Sequence, residues 1–270
     1  MLTLLASMAH AATIYAIAPY TDTLVAIDTT TLSETAIGPV GFDFDFGGMA
    51  YNEATGVAYV VPGRSNSGLY RINLTTGAST LIGTHGVPDM FSLAYDSASG
   101  VLWGFSASTY MAYVMDTSTG AANPIFPIPF YTGGCDYSPS YGGIICQAAG
   151  PGDWYGTPTG TGAFFPYAPS AGFINNGSTA YDPATGWFWS VDWSNQLIAY
   201  DPAAGMVQVA YAGLSTAYDG AEIISSGPPP AFSLSRTAGS CPGPATYTAV
   251  NGSGGSIAFV YGNPGGTTVV

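Results

Sequence analysis

Short runs of alternating apolar and polar residues, separated by glycine turns, repeat along this chain at a nearly constant spacing. In the clearest copy the run Gly48–Asn52 is followed, four residues after its last residue, by Gly56. This pattern predicts strands joined by tight hairpins, because apolar alternation with a period of two suits a half-buried strand and glycine accepts the turn backbone. The tyrosine of the run recurs at positions 51, 95, 137 and 181, in steps of 44, 42 and 44 residues.

Each repeat has room for four short strands. In the copy that begins at Gly48, the predicted strands cover residues 48–52, 57–61, 69–74 and 79–83. A period in the low forties, built from four strands and glycine turns, is typical of propeller blades. The sequence therefore predicts an all-β fold, a five-bladed β-propeller.

The first and last repeats are incomplete in complementary ways. A second column of residues at positions 15, 59, 103, 145 and 189 extends the register to the N-terminus. The strand predicted at 13–17 lacks an inner strand of its own, and residues 219–224 form an inner strand without a blade. We predict that these two segments pair, which closes the ring and removes its open edges.

Three further segments flank the predicted propeller of residues 12–226. Residues 1–11 are apolar with small residues at their end, which predicts the remnant of a secretory signal peptide; an N-terminal strand or plug is the alternative. Residues 227–230, Gly-Pro-Pro-Pro, predict a stiff linker. Residues 231–270 hold about three short strands, too few for an independent core, so we expect a partial β-sandwich or a docking segment.

The charge balance narrows the classes of partner. The chain has no lysine and only three arginines against sixteen carboxylates, for a net charge of −13. This excludes nucleic-acid binding, which needs a basic face. Only 7% of the residues are charged, so the surface is largely uncharged and aromatic. Contacts with other copies or with a matrix are therefore expected, and a soluble monomer is the alternative.

The positions of the cysteines indicate the redox compartment in which the protein works. Cys135 and Cys146 fall opposite each other on two strands of one predicted hairpin, so a cross-strand disulfide is geometrically reasonable. A disulfide suits an oxidising compartment and favours a secreted, extracellular protein. Two buried thiols are the alternative, and Cys241 has no partner in the chain.

Carboxylates are the candidate metal ligands. In a propeller the loops between blades and between second and third strands share one face, here the loop face, and the hairpin turns share the other, the turn face. Several loop-face acids have no turn-forming role, and two inner strands carry a carboxylate where the others have alanine. We predict Ca²⁺ at the loop face or channel mouth, with lanthanides able to substitute; a solvated acidic face is the alternative. The candidate ligands are Asp43, Asp45, Asp89, Asp136, Asn175, Asp219 and Glu222.

No catalytic constellation is visible, and we predict that the protein is not an enzyme. His10 and His85 are isolated in sequence, and no nucleophile-elbow or phosphate-loop motif occurs. A five-bladed glycoside hydrolase that uses Asp45, Asp136 and Glu222 is an alternative. Glycan binding is another, through Trp154 and Trp193, which we place in loops on the loop face.

Residues 69–83 resemble the blades of secreted bacterial β-propeller repeat proteins. These blades read Leu-Tyr-x-Ile-Asp-x-x-Thr-Gly-x-x-Thr-x-Ile-Gly, and here the segment reads Leu-Tyr-Arg-Ile-Asn-Leu-Thr-Thr-Gly-Ala-Ser-Thr-Leu-Ile-Gly. Residues 232–244 resemble the start of a C-terminal Ig-like β-sandwich of similar exported proteins. The resemblance implies the fold and export, and it implies no shared catalytic set.

These observations lead to one functional expectation. We expect an exported, non-catalytic structural or binding propeller that binds Ca²⁺ and self-associates into an extracellular filament or tube.

Overall fold

A computed structural model describes residues 12–170, 172, 174–175 and 177–224, together with the strand backbones at 233–237, 246–250, 260–263 and 266–269. The chain divides into two compact units, one of Ala11–Ser225 and one of Met1–His10 with Ser226–Val270. The predicted signal remnant, the linker at 227–230 and Cys241 lie outside the described residues. No helix in the described part of the chain is long and apolar enough to cross a membrane.

The larger unit consists of five four-stranded antiparallel sheets, which confirms the predicted five-bladed β-propeller. Its strands are β1 (Thr13–Ala18), β2 (Thr23–Asp28), β3 (Glu34–Pro39), β4 (Gly48–Asn52), β5 (Val57–Val61), β6 (Gly68–Ile72), β7 (Ser79–Thr84), β8 (Met90–Asp96), β9 (Val101–Ser106), β10 (Met111–Met115), β11 (Ala122–Pro127), β12 (Thr132–Ser138), β13 (Gly143–Ala148), β14 (Trp154–Pro158), β15 (Phe165–Ala168), β16 (Ser178–Tyr181), β17 (Phe188–Val191), β18 (Gln196–Asp201), β19 (Val207–Gly213) and β20 (Asp219–Ile224).

The ring closes as the sequence predicts. Blade 1 has the strand order β20-β1-β2-β3, and blades 2 to 5 follow in chain order from β4, β8, β12 and β16. Thr13 pairs with Ile224 and Tyr15 with Glu222, so one blade holds both ends of the propeller. The inner strands β20, β4, β8, β12 and β16 contact one another in sequence around the central channel.

The second unit contains two separate hairpins. Strand β21 (Ser233–Thr237) pairs with β22 (Thr246–Val250), and β23 (Val260–Asn263) pairs with β24 (Gly266–Val269).

Asx turns follow three of the inner strands, β4, β8 and β16, at the turn face. Asp96 Oδ1 accepts hydrogen bonds from the backbone N–H groups of Ala98 and Ser99, and Gly100 then takes a φ of +73°. An L side chain rarely adopts this left-handed conformation, so the Asp–Gly spacing fixes the turn. The residues that form this turn are therefore close together in the sequence, and their spacing alone predicts the hairpin.

The core lies between adjacent blades. Ile14 and Val25 of blade 1, for example, belong to the same buried cluster as Val191 and Leu197 of blade 5. The repeat tyrosines also contribute, because the Asn52 Nδ2 amide donates to the hydroxyl of Tyr95 in the next blade at 2.7 Å.

The outer strand of every blade carries a β-bulge at the same place. The pairing of the third with the fourth strand shifts by one residue in all five sheets. The extra residue is apolar each time: Ile37, Ile82, Ile125, Tyr167 and Val209. Bulges twist an exposed edge away from flat pairing with other chains, so the blade edges are protected against edge-to-edge association.

Candidate functional site

The turn-face end of the channel holds a cavity lined by carboxylates and by the repeat tyrosines. Its volume is about 70 Å³, and Tyr51, Tyr95, Tyr137 and Tyr181 stand at equivalent positions in its wall. Asp136 of β12 and Glu222 of β20 also line it, as does Glu53. A cavity of this size has room for a few water molecules, since roughly 10–15 Å³ is the least that holds one.

Asp136 connects blade 4 to blade 5. Its Oδ1 accepts from the N–H of Tyr137 at 2.7 Å, and its Oδ2 accepts from the N–H of Tyr181 at 2.6 Å. Tyr181 belongs to the inner strand of the next blade, whose free edge faces the channel. An unpaired buried N–H is costly, and the carboxylate supplies its missing acceptor.

Glu222 makes the same connection between blades 1 and 2. Its Oε2 accepts from the N–H of Tyr51 and its Oε1 from the N–H of Ile223, both at 3.1 Å. A third inter-blade contact of this kind uses a hydroxyl, because Ser92 Oγ accepts from the N–H of Cys135 at 2.8 Å. The two channel carboxylates therefore act as acceptors that join neighbouring inner strands.

Burial alters the protonation of both channel acids. Desolvation raises the pKa of Asp136 to about 7, and the hydrogen bonds from Tyr181 and Tyr137 oppose this rise. Desolvation, and then the charge of Asp136, raises the pKa of Glu222 well above its usual range. Burial disfavours the charged form, and no described ion pair involves either acid.

The predicted metal ligands are divided between the two ends of the channel. Asp136 and Glu222 lie at the turn face. At the loop face Asp43 is exposed, Asp45, Asp89 and Asn175 are half-buried, and Asp219 is buried. Within the described ranges, no three or more His, Cys, Asp or Glu side chains form a group that could hold a metal.

An aromatic cluster covers the loop-face end of the channel. We call it the mouth cluster; it comprises Tyr20, Phe46, Arg64, Phe91, Tyr131 and Trp193, so every blade contributes a member. Phe46 stacks on Trp193 with ring centroids 4.2 Å apart and on Phe91 at 5.5 Å. Tyr20 meets Trp193 edge-on, and Tyr131 meets Phe91 edge-on. Tyr20 is 71% exposed, so the cluster presents an aromatic ring to solvent.

Arg64 is part of the mouth cluster and is held by both aromatic and polar groups. Its guanidinium carbon lies 4.2 Å from the ring centre of Phe46 and 5.0 Å from that of Phe91. Its Nη2 donates to the Tyr131 hydroxyl at 3.3 Å, and its Nε is 3.9 Å from Asp89 Oδ1. This is a cation–π arrangement with a carboxylate partner.

Backbone strain concentrates at the same face. Five of the seven described non-glycine residues with positive φ are in loop-face loops: Asp22, Phe46, Asp89, Tyr110 and Asn195. Such conformations cost energy and tend to occur where function requires a particular loop geometry.

The two candidate tryptophans have different surroundings. Trp193 is half-buried, and its Nε1 donates to Asp219 Oδ2 at 3.1 Å. The predicted loop position of Trp154 is wrong: it is the first residue of β14 and is fully buried against Phe188 and Tyr200. Its indole has no free face for a sugar.

Cys135 and Cys146 form a disulfide in the structure, across the β12–β13 hairpin where they are paired in register.

A second cavity, of about 170 Å³, lies between blades 3 and 4 and is lined by mostly apolar residues such as Trp103, Phe126 and Ile144. It contains none of the predicted site residues.

Sequence reasoning missed most of the mouth cluster. Phe46, Phe91 and Tyr131 precede or begin inner strands at positions that differ between blades, so the repeat does not align them. Their common feature, a large aromatic residue in a blade-joining segment, is visible in the sequence, but their convergence on Arg64 requires the folded ring.

No protein-family model matches the chain, and no curated protein sequence matches it. Among solved structures, the chain is similar to one from the crystal structure of a nidogen/laminin complex. The two share 13% sequence identity with a TM-score of 0.59, over 80% of this chain and 99% of that one. The likeness shows the β-propeller fold. At this identity it carries no information on ligands.

Proposed function

We propose that the protein is an exported, non-catalytic propeller that binds a partner through its loop face. The mouth cluster is the observation that carries this proposal. It combines an exposed tyrosine, a half-buried tryptophan, an arginine and strained loops at one end of a rigid ring. Binding surfaces are typically enriched in tyrosine, tryptophan and arginine.

The arrangement of the acids favours a non-catalytic role. The hydrolase alternative needs Asp45, Asp136 and Glu222 together, but Asp45 lies in a loop-face loop and the other two at the turn face. Each channel acid also accepts two backbone hydrogen bonds, and the cavity between them is far smaller than typical ligand pockets of roughly 300–1,000 Å³. Turnover of a polysaccharide that is lost in Asp136→Asn would overturn this part of the proposal.

The test of the loop face compares two exposed tyrosines. Tyr20→Ala removes a ring from the mouth cluster, whereas Tyr211→Ala removes a similarly exposed ring from β19 on the blade flank. We expect reproducible partner capture from an extracellular-matrix protein and glycan panel to fall in the first variant only. Equal capture by wild type and both variants would contradict a loop-face site.

Glycan binding is the second candidate function. It is favoured by Tyr20 and Trp193, whose rings meet edge-on at the mouth, and by the 71% exposure of Tyr20. A glycan array with hits that disappear in Tyr20→Ala and persist in Tyr211→Ala would identify this function.

Calcium binding is a further part of the proposal. The carboxylates of Asp43 and Asp45 make no hydrogen bond or ion pair within the described residues, and the Asp43 carbonyl accepts a hydrogen bond from the Ser65 hydroxyl. Ca²⁺ accepts such carboxylate, carbonyl and water oxygens, and a lanthanide ion would be expected to substitute. Unchanged thermal stability in EGTA and no heat of Ca²⁺ binding by calorimetry would argue against it.

Export and self-association complete the proposal. The Cys135–Cys146 disulfide supports an oxidising compartment. For assembly into a filament or tube, the bulged outer strands favour contacts between faces over contacts between edges. Negative-stain microscopy with and without Ca²⁺ would reveal filaments, and monodisperse monomers in both conditions would contradict assembly.

A further inference from the structure

Aromatic rings with nearby carboxylates lie on both sides of Phe46 at the loop face. On one side the guanidinium of Arg64 rests on Phe46 and Phe91 and approaches Asp89. On the other side lie Trp193 and Tyr20, with the carboxylates of Asp43 and Asp45 in the adjoining loop. The first side already contains a cation, which belongs to the chain itself.

The contacts of the adjoining loop place the second set of groups near one another. Asp22, two residues after Tyr20, accepts from the N–H of Phe44 at 2.7 Å, which ties the Tyr20 loop to the segment that carries Asp43 and Asp45. Asp45 is also close enough to Asp219, the hydrogen-bond partner of Trp193, for its charge to raise the pKa of that acid. The segment that carries Asp43 and Asp45 therefore adjoins both the Tyr20 loop and Trp193, and its backbone also contacts the Arg64 loop, where the Arg64 N–H donates to the Asp45 carbonyl at 2.8 Å.

In the described part of the chain no cation lies at the second position, so the cation there has to come from outside the chain. Ca²⁺, proposed above for the same carboxylates, would compete with a basic group of another molecule, and the partner is therefore tested in the absence of Ca²⁺. Within the described residues, the carboxylates of Asp43 and Asp45 have neither a hydrogen bond nor an ion pair. The whole chain contains no lysine and three scattered arginines, so a second copy offers no basic segment. The net charge of −13 attracts basic partners and accelerates their association.

We propose that the loop face docks an extended, arginine-rich segment of another protein, with one guanidinium against Tyr20 and Trp193 and facing Asp43 and Asp45. This inference rests on the proposed function, since it names the partner class for the same surface. Arginine is favoured over lysine because a planar guanidinium stacks on aromatic rings and bonds carboxylates in a bidentate manner.

The experiment uses the full chain and fluorescently labelled octa-arginine, with octa-lysine and octa-glutamate as comparison peptides. Binding is measured by fluorescence anisotropy at low and at physiological salt. We expect saturable binding of octa-arginine, weaker binding of octa-lysine and none of octa-glutamate.

Two double variants with the same change in net charge locate the site. Asp43→Asn with Asp45→Asn should weaken octa-arginine binding by about tenfold, the combined effect of two partly exposed charge contacts. Asp28→Asn with Asp116→Asn, at turn-face hairpins, should change it by less than about twofold. Asparagine is tolerated in such turns, because Asn73 already makes the same hydrogen bonds in blade 2. Thermal unfolding checks that both variants fold.

An equal loss of octa-arginine affinity in the two double variants would show that only the net charge of the protein attracts the peptide, and would overturn the proposal. Unsaturable binding of octa-arginine, or any binding of octa-glutamate, would also overturn it. If octa-arginine does not bind but glycan hits depend on Tyr20, the basic-partner inference is wrong and the loop-face function stands. If no probe of either kind depends on Tyr20, the loop-face function fails as well.

Discussion

At the scale of single residues, two channel acids stand where other blades have alanine. Ala50, Ala94 and Ala180 occupy the inner-strand position that is Asp136 in blade 4 and Glu222 in blade 1. The acids gain hydrogen bonds to the next inner strand but lose hydration. A protonated carboxyl group keeps an acceptor oxygen for the N–H and avoids the cost of a buried charge. Proton binding therefore stabilises the closed ring.

This protonation predicts a fold that is more stable in mild acid. The pKa of Asp136 rises from an ordinary value near 4 to about 7 in the folded protein, and the pKa of Glu222 also rises. The folded state thus binds more protons than the unfolded state between about pH 4 and pH 7. The contribution of these two acids to stability is fully present below about pH 4 and is lost as the pH rises through about 7, by a few kcal/mol at about 1.4 kcal/mol per pKa unit.

Urea unfolding across this range measures the effect. Asp136→Asn should flatten the dependence of the unfolding free energy on pH, whereas Asp116→Asn, the same charge change at an exposed turn, should leave the slope nearly unchanged. An identical slope in wild type and Asp136→Asn would contradict the assignment.

At the scale of strands, the close approach of neighbouring inner strands restricts which residues they can carry. A Cβ atom on Gly48 of β4 would collide with the backbone of Ser92 and Leu93 in β8. A Cβ on Gly213, at the end of β19, would meet nothing within 4 Å. Inner glycines therefore set the spacing of the blades.

Gly48→Ala should destabilise the protein by about 2–4 kcal/mol, because rigid backbone atoms must move. Gly213→Ala should change stability by less than about 1 kcal/mol, since the added methyl group reduces chain entropy without a clash. Chemical denaturation of both variants measures the difference. A similar loss at the two glycines would show that inter-blade spacing is not the cause.

The β12–β13 hairpin carries the disulfide, which joins residues 11 apart in sequence. Replacing Cys135 and Cys146 together by alanine should lower the unfolding free energy by about 2–3 kcal/mol, because the unfolded chain gains conformational freedom. Wild type under reducing conditions should unfold like the double variant, and the double variant should be insensitive to the reductant.

At the scale of the whole molecule, stability depends on closure through blade 1. Strand β20 supplies the inner strand of that blade and contacts β4 and β16 on either side. A chain that ends at residue 225 should unfold in one cooperative transition. A chain that ends at residue 218 lacks β20 and exposes the core between blades 5 and 1. It should unfold at lower temperature and with lower cooperativity, which calorimetry would detect.

Much of the ring was predictable from sequence, because each blade depends on local signals. The Asp96–Gly100 turn is fixed by its own residues, and the tyrosine column gives the period. The Trp154 position was not predictable, since the segment before β14 does not reveal where the strand begins. The mouth cluster also escaped prediction because Phe46 and Arg64 meet residues of other blades that are distant in sequence. The period of the sequence predicts the features that all blades share, whereas the residues of the mouth cluster differ from blade to blade.

The pairing of Thr13 with Ile224 has a mechanical consequence. The chain enters and leaves the ring side by side at the same end of one antiparallel strand pair. A load applied through the flanking segments would therefore break the hydrogen bonds between β20 and β1 one residue pair at a time, starting at Thr13 and Ile224. The other four blades lie outside this path and keep their own ladders. Under tension the ring therefore opens first at the β1–β20 strand pair.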